Sequence, residues 1–376
     1  MEFDFLFSKK EIKFHHFGPV QNPLSPFFCA SNNMTSPLQP KFKSVEKGEI
    51  ITDSPDFNNG FKFSIVSYNI LGQVFVKSSY FPHSPSPCLK WKARSQAVLK
   101  VLKGFESDFL CLQELDEYDS FYKEKLEASG YSSIYIQRSG QKRDGCGIFY
   151  KQDGPELVLE EKIEYNDLVP ALLGEHNETT APVVKDESLK KERGDPNDPR
   201  VRLKRDCVGI MGAFRLNDPS NHIVIVANTH IYWDPEWADV KLAQAEYLLL
   251  RLSQFKDIVS NNFDCCPSII VCGDFNSIPG DKVYQYLVSG SSSSDDQASL
   301  CSVYAYTGGE PAFTNCTPQF TNTLDYIFFS PSGHLKPVSV LELPGPDSSD
   351  VAGGLPNFIH PSDHLPIGAE FEVIRM

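Results

Sequence analysis

Polar residues able to do chemistry recur where apolar runs stop. Asn69 closes Ser67-Tyr68-Asn69-Ile70-Leu71, Glu114 closes Leu112-Gln113-Glu114, and His230 closes Asn228-Thr229-His230. Asp274 and Asn276 follow an apolar run in Gly273-Asp274-Phe275-Asn276, Asp325 opens Asp325-Tyr326-Ile327, and Asp363-His364 precedes the last run. Singly, each is ordinary: Gly-Asp-x-Asn makes an Asx turn, and Gln-Glu ends many solvated strands. Together, Glu114, Asp274 and Asp363 with Asn69 and Asn276 form a set of hard oxygen donors suited to magnesium, with manganese able to substitute. His230 and His364 add proton transfer or phosphate contact.

Those residues need strands to carry them to one place. Strands are expected at 61–70, 108–114, 131–137, 146–151 and 157–165, then at 207–216, 222–231, 268–272, 324–330, 338–343 and 365–373. Helices are expected at 91–105, with Ala97, Val98, Val101, Leu102 and Phe105 on one face, and at 118–129, 238–259 and 282–288. Hairpin-length links between some strands and helices between others favour two packed mixed sheets flanked by helices. Ends of sheet strands converge on one rim, where α/β proteins place their sites. Residues 1–60, rich in Pro, Ser and Asn, read as a disordered leader. Residues 61–376 read as one catalytic domain, interrupted at 166–200 by a charged, Pro-containing loop insertion.

Charge and cysteine usage narrow the class. Lys+Arg is 35 and Asp+Glu 49, a net charge of −14, so a general nucleic-acid clamp is excluded and phosphate must be met by locally held cations. The ten cysteines include an adjacent pair, Cys265-Cys266, and no zinc-spaced CxxC, which suits reduced thiols. The sequence has no run of roughly 18 apolar residues, so no membrane association is expected. Acidic residues in the first 21 positions make a poor secretory signal. A cytoplasmic location is expected; nuclear residence and organelle targeting by residues 1–60 stay open.

The motifs named above, with Asp144-Gly145-Cys146-Gly147-Ile148-Phe149, Thr323-Leu324-Asp325-Tyr326 and Pro361-Ser362-Asp363-His364, occur in an order that resembles the endonuclease/exonuclease/phosphatase superfamily over about residues 61–373. The resemblance implies its four-layer α/β sandwich. Within that superfamily, Asn228-Thr229-His230-Ile231-Tyr232-Trp233-Asp234-Pro235 is similar to the corresponding segment of carbon catabolite repressor-type deadenylases. That likeness implies a Mg2+-dependent 3′-to-5′ exoribonuclease acting on single-stranded A-rich RNA, with Pro235, Asn315 and Phe320 contacting the base. No leucine-rich repeats precede the motifs, which leaves docking to a deadenylase scaffold open.

On the same resemblance Glu114 is the principal metal ligand, assisted by Asn69 and Asp363. Asp274, with Asn276, holds or activates the attacking water, as base or as second-ion ligand. His364 contacts the scissile phosphate and is oriented by Asp325, while His230 donates to a phosphate oxygen and Asn276 also touches substrate. The basic run Arg200–Arg205 is a candidate for steering RNA or an ordinary solvated face. Three alternatives share the fold: a nicotinamide dinucleotide phosphate phosphatase, whose branch has basic residues in place of Tyr232–Pro235, a 2′-phosphodiesterase, and a catalytically dead RNA-binding module, against which the full set of acids, amides and histidines argues.

Overall fold

The computed structural model describes residues 40–45, 60–173, 195, 197–289, 299–331 and 334–374. Most of the expected leader and residues 174–194 and 196 of the expected insertion lie outside the described residues. Fifteen strands are described: β1 Phe42–Ser44, β2 Phe61–Asn69, β3 Phe109–Gln113, β4 Tyr131–Gln137, β5 Gly145–Lys151, β6 Glu156–Glu164, β7 Val208–Arg215 and β8 Ile223–His230. They continue with β9 Ser268–Asp274, β10 Cys301–Ser302, β11 Asn315–Cys316, β12 Thr321–Asn322, β13 Asp325–Phe329, β14 Leu335–Leu341 and β15 Ile367–Val373.

One sheet has the order β1-β14-β15-β2-β3-β5-β4 and the second β10-β13-β9-β8-β7-β6, with β11-β12 a separate hairpin. Each large sheet is mixed through one parallel pair, β2 with β3 and β8 with β9. Side chains alternate between faces along a strand, and that parity builds the layers. Phe63, Ile65, Phe109 and Cys111 of the first sheet share a core with Val224, Val226, Ile270 and Ile327 of the second. The alternate residues face outward: Val66, Tyr68, Leu110 and Leu112 meet the helix Trp91–Phe105. Ile225, Ala227 and Val271 meet the helix Ala238–Phe263. The result is the expected four layers.

The helix 91–105 has the expected bounds, and Val98, Val101, Leu102 and Phe105 of the expected face pack into the core, with the buried stripe widened toward Arg94, Ser95 and Leu99. Arg94, Ser95, Val98, Leu99 and Leu102 are buried, while Ala97 and Val101 are half-buried. The sheet edge accepts Arg94 because carbonyls there need a donor: its Nη1 reaches Ile70 O at 2.8 Å, and its Nε reaches Gln73 Oε1 at 3.0 Å. The expected helix 118–129 is instead a π-helical turn, Tyr118–Tyr122, running into a short α-helix, Lys123–Glu127. Inside the expected leader, β1 pairs with β14 from Phe42↔Leu341 to Ser44↔Ser339. Short helices at Leu168–Leu173 and Pro199–Arg202 lie within the expected insertion. Three residues of strand or one helical turn are too brief to leave a periodic signature.

Strand β9 runs two residues past its expected end because its ladders continue to Asp274 on both sides. Gly273 makes that possible: a Cβ there would lie 2.2 Å from Thr229 O. The cysteines among the described residues are free thiols. None of the described helices is long and apolar enough to cross a membrane.

Candidate active site

The inward parity of the core strands turns polar at one rim. Phe63 and Ile65 lead to Ser67 and Asn69, Phe109 and Cys111 to Gln113, Val224 and Val226 to Asn228 and His230, and Ile270 and Cys272 to Asp274. In β13 the same parity runs backward from Phe329 through Ile327 to Asp325, because β13 is antiparallel to β9. Register fixes the partners: His230 lies across from Asp274 in one ladder and Asp325 across from Asp274 in the other. Beneath this rim, Gln113 Nε2 donates to Asn228 Oδ1 at 2.7 Å, and Asn228 Nδ2 donates to Leu112 O and Gly147 O. These bonds stitch the two sheets together under the site.

Asp274 is the focus. Its Oδ2 accepts from Asn69 Nδ2 at 3.0 Å and lies 3.6 Å from Nε2 of both His230 and His364. Its Oδ1 accepts the Asn276 backbone N–H at 2.9 Å. Asn276, with φ 44°, is held in that turn by Nδ2 donating to Ile231 O and by Lys241 Nζ donating to Asn276 O at 2.7 Å. His364 Nδ1 donates to Asp325 Oδ2 at 2.7 Å, and the same oxygen accepts Thr314 Oγ1 at 2.6 Å. Thr314 in turn accepts the backbone N–H groups of Leu324 and Asp325.

The two histidines are driven apart. Burial dominates at His230 and pulls its pKa down to about 4, against the opposing pull of Asp274. Burial also acts on His364, but the charges of Asp325 and Asp274 and the Asp325 hydrogen bond overcome it and hold the pKa well above its usual value. The surroundings therefore favour the neutral form of His230 and the protonated form of His364, a separation of the kind that assigns acid and base roles in other sites.

Glu114 borders this cluster with φ 56°, a conformation that costs a non-glycine residue energy. Its Oε1 accepts from Asn69 Nδ2 at 3.2 Å and its Oε2 from the Gly72 N–H at 2.9 Å. Burial first, then the charges of Asp363 and Asp144, push its pKa up to about 8. Hard-oxygen groups are therefore crowded with insufficient compensating charge, and one buried oxygen of Asp144 has no hydrogen-bond partner. A divalent cation fits such a donor set, since it would offset that repulsion and coordinate oxygen. Among the described residues, Asp274, Asp325 and His364 also place ligand atoms within 4.8 Å of one another. Asp325 Oδ2 accepts from His364 and Thr314, while its buried Oδ1 has no hydrogen-bond partner.

The amide of Asn69 donates to Glu114 and Asp274 while its Oδ1 accepts the Leu71 N–H at 3.0 Å, so here it spaces two carboxylates. Ser362, buried, links the last motif to the first: its Oγ donates to Asn69 O at 2.7 Å and accepts the His364 N–H. Asn69, Glu114, His230, Asp274, Asn276, Asp325 and His364 are thus joined by direct contacts, and Asp363 acts through its charge on Glu114. Asn315 is buried and forms a β-bridge with His364. Phe320 is 44% exposed in the same hairpin, and Pro235 is exposed in the turn after β8. Neither makes a described contact with the Asp274 cluster.

Thr314, Ser362, Asn228, Arg138 and Asp144 also shape the site. Arg138 Nη1 meets Asp144 Oδ2 at 3.3 Å, both largely buried. Asp144 and Ser362 lie inside recognisable motifs, but Thr314 and Arg138 fall outside any motif, and Arg138 also bonds the carbonyls of Arg205 and Asp206 far along the chain.

An Asp–His pair, a second, largely enclosed histidine and an acidic cluster on the rim of a four-layer sandwich define a class of phosphoester-processing folds. The chain belongs to the Endonuclease/Exonuclease/phosphatase family, whose profile matches residues 66–364. It is 59% identical over 355 residues to Carbon catabolite repressor protein 4 homolog 4 of Arabidopsis thaliana, covering 90% of this chain and 85% of that protein. It is 31% identical over 361 residues to the CCR4-Not complex 3′-5′-exoribonuclease subunit Ccr4 of Schizosaccharomyces pombe, covering 83% of this chain but 49% of the relative. The chain therefore spans about half the length of that fungal relative. Among solved structures it resembles ANGEL2, a 2′,3′-cyclic phosphatase in complex with adenosine-2′,3′-vanadate, at 27% identity and TM-score 0.67, covering 89% of this chain and 99% of that one. The human Nocturnin catalytic domain, at 23% identity and TM-score 0.61, shares the fold.

Proposed function

We propose that this chain is a Mg2+-dependent 3′-to-5′ exoribonuclease that shortens A-rich RNA ends by phosphodiester hydrolysis. The observation that carries this reading is geometric: one buried carboxylate oxygen of Asp274 lies 3.6 Å from Nε2 of both His230 and His364 and is bridged through Asn69 to Glu114. The two curated relatives described above support the ribonuclease side of the reading.

Hydrolysis adds water to a phosphorus already surrounded by negative oxygens. Glu114 and Asp363 would hold the ion, with Asn69 fixing the Glu114 carboxylate. When bound, Mg2+ supplies charge that neutralises non-bridging phosphate oxygens. Asp274, restrained at both oxygens by Asn69 and Asn276, accepts the proton of the attacking water. His364, kept protonated by Asp325, donates from Nε2 to the scissile phosphate as charge develops, and neutral His230 donates a second hydrogen bond. Pro235, Asn315 and Phe320 are the proposed base contacts, Phe320 offering an exposed ring for stacking.

A second reading, a phosphatase or phosphodiesterase acting on a 2′-linked or cyclic ribose phosphate, is favoured by the likeness to ANGEL2. One panel separates them: A-tailed RNA, oligo(U), RNA ending in a 2′,3′-cyclic phosphate, and a nicotinamide dinucleotide phosphate, each with Mg2+ or EDTA. A 3′ ladder confined to the A-tail supports the exoribonuclease. Turnover of the cyclic end or the dinucleotide without a ladder overturns it.

A further inference from the structure

Beside β7 lies a cation that the chemistry described above does not use. Arg205 sits 4.0 Å from the centre of the Trp237 ring and 5.3 Å from that of Tyr232. Its neighbour Arg202 also packs on Trp237, at 4.2 Å, but is neutralised by Asp239 through bonds of 2.6 and 2.7 Å. Arg205 has no such partner. Its Nε is enclosed by protein and meets no acceptor, and it makes no ion pair among the described residues. The next carboxylate in the chain is turned away from it: Asp206, with φ 57°, accepts from Asn166 and Ser139 instead. The enclosed Nε is a donor left without an acceptor, and an anion seated against the guanidinium would satisfy it.

Position supplies the anion. Tyr232 is two residues beyond His230, a span of about 7 Å at most. On its other side the loop is anchored to the site, since Arg138 donates to Arg205 O at 3.2 Å and to Asp144 at 3.3 Å. The aromatic rings hold the guanidinium in place at little further entropic cost, and a planar fork of donors matches a phosphate.

We propose that Arg205, propped by Trp237 and Tyr232, is a phosphate subsite that binds the backbone of single-stranded RNA upstream of the scissile linkage. This assignment rests on the ribonuclease reading. It gives an acidic chain one localised cation for a polyanion.

The test measures binding of a fluorescent, nuclease-resistant phosphorothioate octamer of A to the full chain in Mg2+ across a salt series. Arg205→Gln is expected to raise Kd about tenfold, the loss of one charge-assisted contact. It should also flatten the slope of log K against log salt by about 0.7, the value for one phosphate on a single strand. Arg205→Lys, which keeps the charge, should restore the slope, an effect that a merely structural role would not produce. Unchanged Kd and slope in Arg205→Gln, or failure of Arg205→Lys to restore the slope, overturns this assignment alone. Wild-type protein that does not bind the octamer overturns the RNA reading with it.

Discussion

His230 and His364 each present Nε2 at 3.6 Å from the same oxygen of Asp274, yet their protonation is driven in opposite directions. The difference lies behind the rings, where His364 alone has a second carboxylate, Asp325, at 2.7 Å. Asp325→Asn should therefore act through His364. Activity on A-tailed RNA is expected to fall about 10² to 10⁴-fold, the range for a positioned acid or base, with RNA affinity changed little. A near-wild-type kcat would refute the pairing.

Asp274→Asn and Glu114→Gln should each abolish the Mg2+-dependent product ladder. Their stabilities should diverge from the usual pattern for buried polar substitutions. Glu114→Gln removes a carboxyl that burial and its acidic neighbours disfavour as an anion, so its metal-free melting temperature is expected to equal or exceed wild type. At a concentration 100 times its Kd, Mg2+ should stabilise wild type by about 2.7 kcal/mol, and Glu114→Gln by much less. Equal Mg2+ shifts in both proteins would remove Glu114 from the metal site.

Thr314→Val tests the support beneath Asp325. The hydroxyl it removes satisfies one carboxylate oxygen and two backbone N–H groups. A loss of about 1–3 kcal/mol in denaturant unfolding is expected from the unsatisfied groups. kcat should drop more than KM changes; an effect on KM alone would place Thr314 in substrate binding.

Arg94→Met should loosen the site without touching substrate. Its guanidinium bonds Ile70 O, next to Asn69, and approaches Pro361 O at 3.5 Å, next to Ser362-Asp363-His364. Destabilisation on the order of 3 kcal/mol is expected from the orphaned carbonyls, measured by chemical denaturation. A fully stable variant would show that the helix 91–105 does not clamp these two segments.

One contribution to stability should decline on mild acidification. Burial, then the proximity of His334 with ring centres 5.6 Å apart, lowers the His222 pKa below its ordinary 6.5, despite the opposing charge of Asp218. Below about 6.5 the unfolded chain takes up this proton before the folded one does, so the group's contribution is complete above that pH and declines beneath it. His222→Gln, which can keep the bond to Ser268 Oγ, should lose less stability than wild type between pH 7.5 and 5.5. An equal or larger loss would show that His222 does not carry the effect.

Most strands were readable because their side chains alternate or run apolar between Gly, Pro and Asn breaks, as in 131–137 and 223–230. The polar residues at their ends were readable for the same reason: each interrupts a pattern. What the sequence did not display depends on contacts between distant segments. Arg94 reads as the polar edge of an amphipathic helix until Ile70 and Gln73 are placed beside it. Nor does the sequence display that the Asn69 oxygen accepts the Leu71 N–H while its amide donates to two carboxylates. Thr314 stands ten and eleven residues from the groups it bonds, with nothing local to mark it.

The ladders that set His230 across from Asp274, and Asp325 across from Asp274, tie chemistry to strand pairing. A slip of one residue in β9 would swing Asp274 to the helix-covered face and bring an aliphatic side chain into the cleft. A chain that collapses with that error would hold no carboxylate between His230 and Asp325. Recovery of activity during refolding would then clock strand registration, later than any probe of compactness.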